Sequence, residues 1–323
     1  MGAEVRIGLL GLGQMGRNHL RVLSMMRGVE IAFVHDVQGD HARTVAGQYG
    51  VRAAEDVDGE LGGVDALIVC TPTSTHADHV ELYAPSVKAL FVEKPLAHSM
   101  AAARRAEAAV RANGTLVQVG FIERFNPAVI ALRRVLDDAE RVISIDFLRT
   151  NRLSARITDV DVVMDLMIHD IDLALYLNGP VASVSAQGVE QGGLVEFASA
   201  QLTHENGRFS RLQSSRITEK KFRLVQATCE DRFVDCDLLR KEIVIHRQSV
   251  TQQSGTGAYS ISSQQEAVAV GQQEALLSEL QAFVALVQGG SGSGDSALPD
   301  FDQGVASLAV AEAITTQISE GRG

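Results

Sequence analysis

A chain of 323 residues is long enough for two domains of ordinary size, and 46% apolar with 21% charged residues excludes disordered, collagen-like and coiled-coil classes. Asp and Glu outnumber Lys and Arg by 40 to 29, a formal charge of −11 without any basic block, which makes a nucleic-acid backbone an unsuitable partner. No apolar run approaches the roughly 18–20 residues of a membrane span, and no signal peptide is expected, because the first residues run straight into a strand-like segment. Cys70, Cys229 and Cys236 form no CxxC pair and have no His at zinc spacing, so reduced, buried thiols in a cytoplasmic protein are expected, and no metal.

The first third alternates short apolar runs with amphipathic stretches. Val5–Leu10, Ile31–Val34, Val64–Cys70, Leu90–Val92 and Leu116–Val119 have the continuous apolar character of strands covered on both faces. Between them, Arg17–Arg27, Gly39–Tyr49 and Ser99–Asn113 read as helices, the last two stopped by Gly50 and Gly114. This alternation predicts a doubly wound parallel sheet over residues 1–122. From residue 123 the pattern changes. A helix is expected at Pro127–Leu136, a strand at Val142–Leu148 and a long apolar helix at Asp161–Leu177. Polar and apolar residues then alternate from Val181 to His246, as in Val195–Leu202, Phe209–Ser215 and Arg223–Thr228. Residues 123–323 therefore read as an α+β domain with a mostly antiparallel open sheet, its last helix, about 302–318, packing back on the first domain. Gly289–Ser296 reads as a Gly/Ser-rich loop.

The first strand ends in Gly11-Leu12-Gly13-Gln14-Met15-Gly16, in which successive glycines allow a tight turn, close approach of a pyrophosphate, and close packing of helix on strand. The amino terminus of the following helix suits two phosphate charges. Asp36 closes the second strand 20 residues beyond Gly16, where a carboxylate accepts bonds from both ribose hydroxyls and repels a 2′-phosphate. The pattern predicts NAD in preference to NADP, bound by Gly11, Gly13, Gln14, Met15, Gly16 and Asp36.

Cys70-Thr71-Pro72-Thr73-Ser74-Thr75-His76 and Glu93-Lys94-Pro95 follow the next two strands. Together with the glycine motif they resemble the glucose–fructose oxidoreductase/inositol dehydrogenase (Gfo/Idh/MocA) family over essentially the whole chain. The resemblance implies that Thr71, Pro72, His76, Glu93, Lys94 and Pro95 lie along the cofactor and that Lys94 faces the substrate. Independently of it, a Lys at the carboxyl end of a parallel strand points into the ligand crevice of a doubly wound sheet, and the adjoining proline stiffens the turn and admits a cis bond.

Within the apolar helix, Asp165, His169 and Asp172 fall within about 60° at 100° per residue, a charged stripe that packing does not explain. They match the family's Asp-x-x-x-His-x-x-Asp motif, in which the His meets the nicotinamide. A side chain titrating near neutrality suits removal of a hydroxyl proton, so His169 is the expected base, Asp165 its orienting partner and Lys94 the donor to the substrate oxygen. Ile122-Glu123-Arg124-Phe125-Asn126-Pro127 and Arg156-Ile157-Thr158-Asp159-Val160-Asp161 are similar to a nucleotide-sugar 3-dehydrogenase subgroup acting on substrates such as UDP-N-acetylglucosamine. That similarity implies substrate contacts from Arg124, Asn126, Arg152 and Arg156, in addition to Lys94 and His169. The competing readings are a dehydrogenase of a free cyclic polyol or aldose, and a non-catalytic dinucleotide-binding regulator. A homodimer or homotetramer formed through the second sheet is also implied, with Phe197 or Leu212 as outward apolar positions.

Overall fold

The computed structural model describes residues 4–151, 160–252, 259–289 and 298–321. The chain divides into two compact units, Met1–Ile122 with Glu274–Ala309, and Glu123–Gln273 with Val310–Gly323.

The first unit begins with β1 (Val5–Leu10), α1 (Gln14–Leu23), β2 (Val29–His35), α2 (Gly39–Tyr49), β3 (Ala66–Val69), α3 (Thr73–Tyr83), β4 (Ala89–Glu93), α4 (Met100–Asn113) and β5 (Leu116–Gly120). Its strands pair in parallel in the order β2-β1-β3-β4-β5. The order reverses between β1 and β3, a topological switch point, so the carboxyl ends of these strands deliver Gly11 and Cys70 to the ligand edge of the sheet. Strands β3 and β4 are buried at every position, which is why they read as unbroken apolar runs. Gly50 and Gly114 end α2 and α4 in the left-handed conformation, at φ 66° and 65°. Helix α1 stops at Leu23, short of the expected Arg27, where the Met25 and Met26 amides bond back only three residues, to the Val22 (3.1 Å) and Leu23 (3.0 Å) carbonyls. Helix α3 was not legible in the sequence: its buried positions are His76, Ala77, Val80 and Tyr83, too mixed to form an apolar stripe.

The second unit contains α5 (Pro127–Asp137), β6 (Val142–Thr150), a π-helical turn (Val163–Met167), α6 (Ile168–Asn178), β7 (Val181–Gln191), β8 (Leu194–His204), β9 (Phe209–Ser215), β10 (Phe222–Cys229), β11 (Phe233–Asp237), β12 (Glu242–Gln252) and β13 (Tyr259–Val268). Its eight strands follow the order β13-β12-β11-β10-β6-β9-β8-β7. Every pairing is antiparallel except β6 with β9. Helix α6 packs on β6 and β9. Leu212, expected to point outward, is instead 1% exposed on the helix-covered face, opposite the buried Ala200 and Phe147, whereas Phe197 is half-buried.

The remaining helices are α7 (Ala275–Val287) and α8 (Phe301–Glu320). Residues 274–309, expected in the second domain, fall in the first compact unit. Leu276, Leu280, Phe283, Val284 and Val287 recur at helical spacing along α7 and are buried in one cluster with Ile7, Leu9, Leu20 and Phe91 of the first unit. Helix α8 starts with the first unit and, from Val310, belongs to the second.

Candidate active site

The turn after β1 is built as the glycine spacing requires. Gly11 has φ +87°, and a Cβ there would meet the Cys70 carbonyl oxygen at 2.6 Å; a Cβ on Gly16 would overlap the Gly11 carbonyl oxygen. At Gly13, by contrast, a Cβ would meet nothing within 4 Å, so this position leaves room for a ligand against the backbone. Gly13 supplies no side chain to cap α1, and the first turn carries no acid, which keeps the helix's amino-terminal N–H groups suited to an anion. Asp36 is fixed over this turn: the Leu12 amide donates to one carboxylate oxygen (2.8 Å) and the Gln38 amide to the other (2.9 Å). Each oxygen retains a second acceptor position, the capacity two ribose hydroxyls need. The cradle at Gly13 and the oriented carboxylate of Asp36 fit an NAD dinucleotide, which the turn through Gly16 and Asp36 would hold.

Lys94 follows β4, half-buried, and is joined to Pro95 by a cis peptide bond. Its neighbours are held from both sides. His19, fully buried on α1, lies 2.7 Å through Nε2 from Glu93 Oε1, while the Lys94 amide donates to Glu93 Oε2 (3.1 Å). His76, 1% exposed on α3, sits between the carbonyl oxygens of Pro95 (2.8 Å from Nδ1) and Thr71 (2.9 Å from Nε2). Glu93 and His76, expected along the cofactor, have side chains that are buried and engaged with protein groups, and they hold the segments bearing Lys94, Thr71 and Pro72. Thr71 is half-buried and Pro72 exposed, and the Thr75 hydroxyl bonds to the oxygens of both.

Burial alone would raise the Glu93 carboxyl, but the bond to His19 and the Lys94 charge outweigh it and hold it below its ordinary range. Burial pulls the His76 imidazole down despite its two carbonyl neighbours and pushes the Cys70 thiol well up. His19 was absent from the sequence reading, although its place three residues after Gly16 was a signal available to it. The fold also brings ligand atoms of His19, Cys70 and Glu93 within 4.8 Å of one another, company for Cys70 that sequence spacing did not reveal.

In the second unit the expected uniform α-helix begins instead as the π-helical turn Val163–Met167, so Asp165 and Asp172 are not related by regular 100° steps. Asp165 and His169 are half-buried, and His169 is the single position not buried between Leu166 and Ala174. Asp172 has no exposure; Arg124 Nε donates to it at 2.8 Å and Nη2 at 2.6 Å. Arg124, expected to contact a diphosphate, thus has its fork buried against a carboxylate. Asn126, also expected at the substrate, caps α5 by accepting from the Ala128 amide (3.0 Å) and donates to Glu123 (3.1 Å) and the Leu238 carbonyl (3.2 Å). Arg152 and Arg156 lie outside the described residues.

Two arginines unnoticed in the sequence brace this helix. Arg149, 2% exposed, donates to both oxygens of Asp170 (2.9 and 2.8 Å) and to Glu123 (2.9 Å). Arg216, at the end of β9, donates to the carbonyls of Val160 (2.6 Å) and Asp161 (3.0 Å) and to Asp165 (3.1 Å). No local motif marks either residue. Burial would raise the Glu123 carboxyl, but Arg149 and Arg223 hold it below the ordinary carboxylate range.

Comparison with known proteins agrees with this geometry. The description "Oxidoreductase family, NAD-binding Rossmann fold" matches residues 5–121, and the Gfo/Idh/MocA C-terminal domain matches residues 144–233. The chain is 31% identical over 284 residues to UDP-N-acetylglucosamine 3-dehydrogenase of Acidithiobacillus ferrooxidans, covering 87% of this chain and 88% of that one. A solved structure of that enzyme superposes with a TM-score of 0.85 at 28% identity, over 98% of this chain and 99% of the other. Inositol 2-dehydrogenase of Rhizobium meliloti is 26% identical over 338 residues, 98% of each chain. With both halves matched and the glycine cradle, Asp36 and Lys94 in place, the chain belongs to the Gfo/Idh/MocA family of NAD-binding oxidoreductases.

Proposed function

We propose that the protein oxidises the C3 hydroxyl of a nucleotide sugar of the UDP-N-acetylglucosamine type to a ketone. NAD, when bound, supplies the hydride acceptor. His169 takes the hydroxyl proton, Asp165 stabilises the resulting imidazolium, and Lys94 donates to the substrate oxygen as charge develops on it. The observation that carries this reading is that His169, half-buried, is the one position between Leu166 and Ala174 that is not fully buried, an imidazole on a stretch of helix otherwise given to packing. A second reading, oxidation of a free cyclic polyol, is favoured by the likeness to inositol 2-dehydrogenase along the whole chain.

Following NADH formation with UDP-N-acetylglucosamine, myo-inositol, scyllo-inositol and glucose separates the readings. Turnover confined to the nucleotide sugar supports the first, turnover of an inositol the second, and none with any of them overturns both. Assembly into a dimer or tetramer through the face of the second sheet that carries Phe197 belongs to the same proposal, as does a cytoplasmic location. Among the described residues no helix is long and apolar enough to cross a membrane.

A further inference from the structure

With Arg124 and Asn126 engaged inside the second unit, the anionic part of a nucleotide sugar needs other partners, and the structure offers them at the turn between β9 and β10. The run Arg216-Ile217-Thr218-Glu219-Lys220-Lys221-Phe222-Arg223 has four cations against one acid in a chain of net charge −11. Lys220 and Lys221 are exposed, with Lys220 Nζ 4.4 Å from the centre of the Phe222 ring. The turn is tied to the end of β6, where the Phe222 amide donates to the Thr150 hydroxyl (3.1 Å) and that hydroxyl in turn bonds the Lys220 carbonyl.

Arg223 is the informative member. It stands directly opposite Arg149 in the antiparallel β6–β10 ladder, a juxtaposition of like charges that is unfavourable unless an acid intervenes. Glu123 is that acid, but one of its oxygens serves both guanidinium groups: Arg149 Nη1 at 2.9 Å and Arg223 Nη1 at 3.1 Å. Arg149 also has both oxygens of Asp170, whereas the Arg223 side chain makes this single hydrogen bond among the described residues. The Arg223 side chain is 35% exposed, against 2% for Arg149. Burial and the Arg149 charge pull its pKa down, as expected of a cation short of counter-charge. The path from Arg223 through Glu123 and Arg149 ends on Asp170, the residue next to His169.

We infer that Arg223, assisted by Lys221, is the anion-recognising element of the substrate site and selects a substrate carrying a phosphate or diphosphate over a neutral polyol. The inference rests on the dehydrogenase reading for its location, but its test does not. Calorimetric titration of the full chain with UDP, and with uridine as the neutral control, reads the anion site without turnover. The wild type binds UDP and uridine much more weakly, and added salt weakens the UDP complex. Arg223→Gln raises the UDP dissociation constant and the KM for UDP-N-acetylglucosamine about 10- to 100-fold, as loss of a charge-assisted bond does, and Arg223→Lys recovers part of the loss. Because Arg223→Gln also removes a partner of Glu123, Lys221→Gln on the exposed surface is the control for folding, with a few-fold loss expected. UDP affinity unchanged in both glutamine variants overturns the inference, as does a wild type that oxidises an inositol and does not bind UDP. A wild type that binds UDP through Arg223 yet oxidises no sugar leaves the anion site standing and removes the dehydrogenase reading.

Discussion

The two units hold their candidate functional groups by different physics. In the first, Gly11 to Gly16, Asp36 and Lys94 follow strand ends, and what steadies them is mostly backbone: amides donating to Asp36, carbonyls facing His76, an amide donating to Glu93. In the second, the helix bearing Asp165 and His169 is braced by ion pairs between residues far apart in the chain: Arg149 with Asp170, Arg124 with Asp172, Arg216 with Asp165. A site held by backbone tolerates neighbouring side-chain changes better than one held by buried charges, where removing one partner strands the other.

That contrast is broken or sharpened by four measurements. The largest effect is expected from Arg149→Met, which leaves Asp170 and Glu123 buried with diminished counter-charge. A loss of about 3–5 kcal/mol in urea denaturation is expected, and a change below about 1 kcal/mol would mean that the second unit does not depend on its ion pairs. Next, Lys94→Ala and His169→Ala should each lower kcat by at least about 100-fold, with NADH affinity of the His169 variant retained. Near-normal turnover in both would remove the proposed roles.

The third measurement is the pH dependence of stability. Glu93 and Glu123 have folded pKa values held below 4.5, so the unfolded chain binds their protons more readily; their contribution is complete above pH 4.5 and is lost as pH falls through the lowered values. His76 and His204 are held below 6.5 by burial, so loss begins on acidification below 6.5. The urea midpoint should therefore drop in two stages, and a rise on acidification would contradict the assignment. The smallest effect is expected at the exposed Arg105–Asp78 pair (3.0 Å, side chains 51% and 62% exposed), where Asp78→Asn should cost less than about 1 kcal/mol.

The glycine turn, Asp36 and Lys94 were legible in the sequence because each depends on spacing within a few residues or on position at a strand end. The fate of the charged stripe was not. Asp165, Asp170 and Asp172 are chemically alike along the chain, and what distinguishes them is which arginine arrives from elsewhere. The same holds for Arg124, which reads as a phosphate fork until Asp172 is placed against it, and for α7, whose apolar face does not say which core it enters. The π-helical turn was hidden for a related reason: nothing in Val163–Met167 disfavours an ordinary helix, and the wider turn is seen only in place, where Arg216 bonds the carbonyls of Val160 and Asp161 just before it.

By itself the sequence determined the parallel sheet, the glycine turn after β1 and the lysine at the end of β4, since strand periodicity, glycine conformation and strand-end position are local properties of the chain. Only the tertiary structure decided which acids are neutralised, which position of the apolar helix is left partly exposed and how the buried arginines are shared among the acids. Those outcomes depend on burial and on pairing between distant charges, and neither is a property of any one segment.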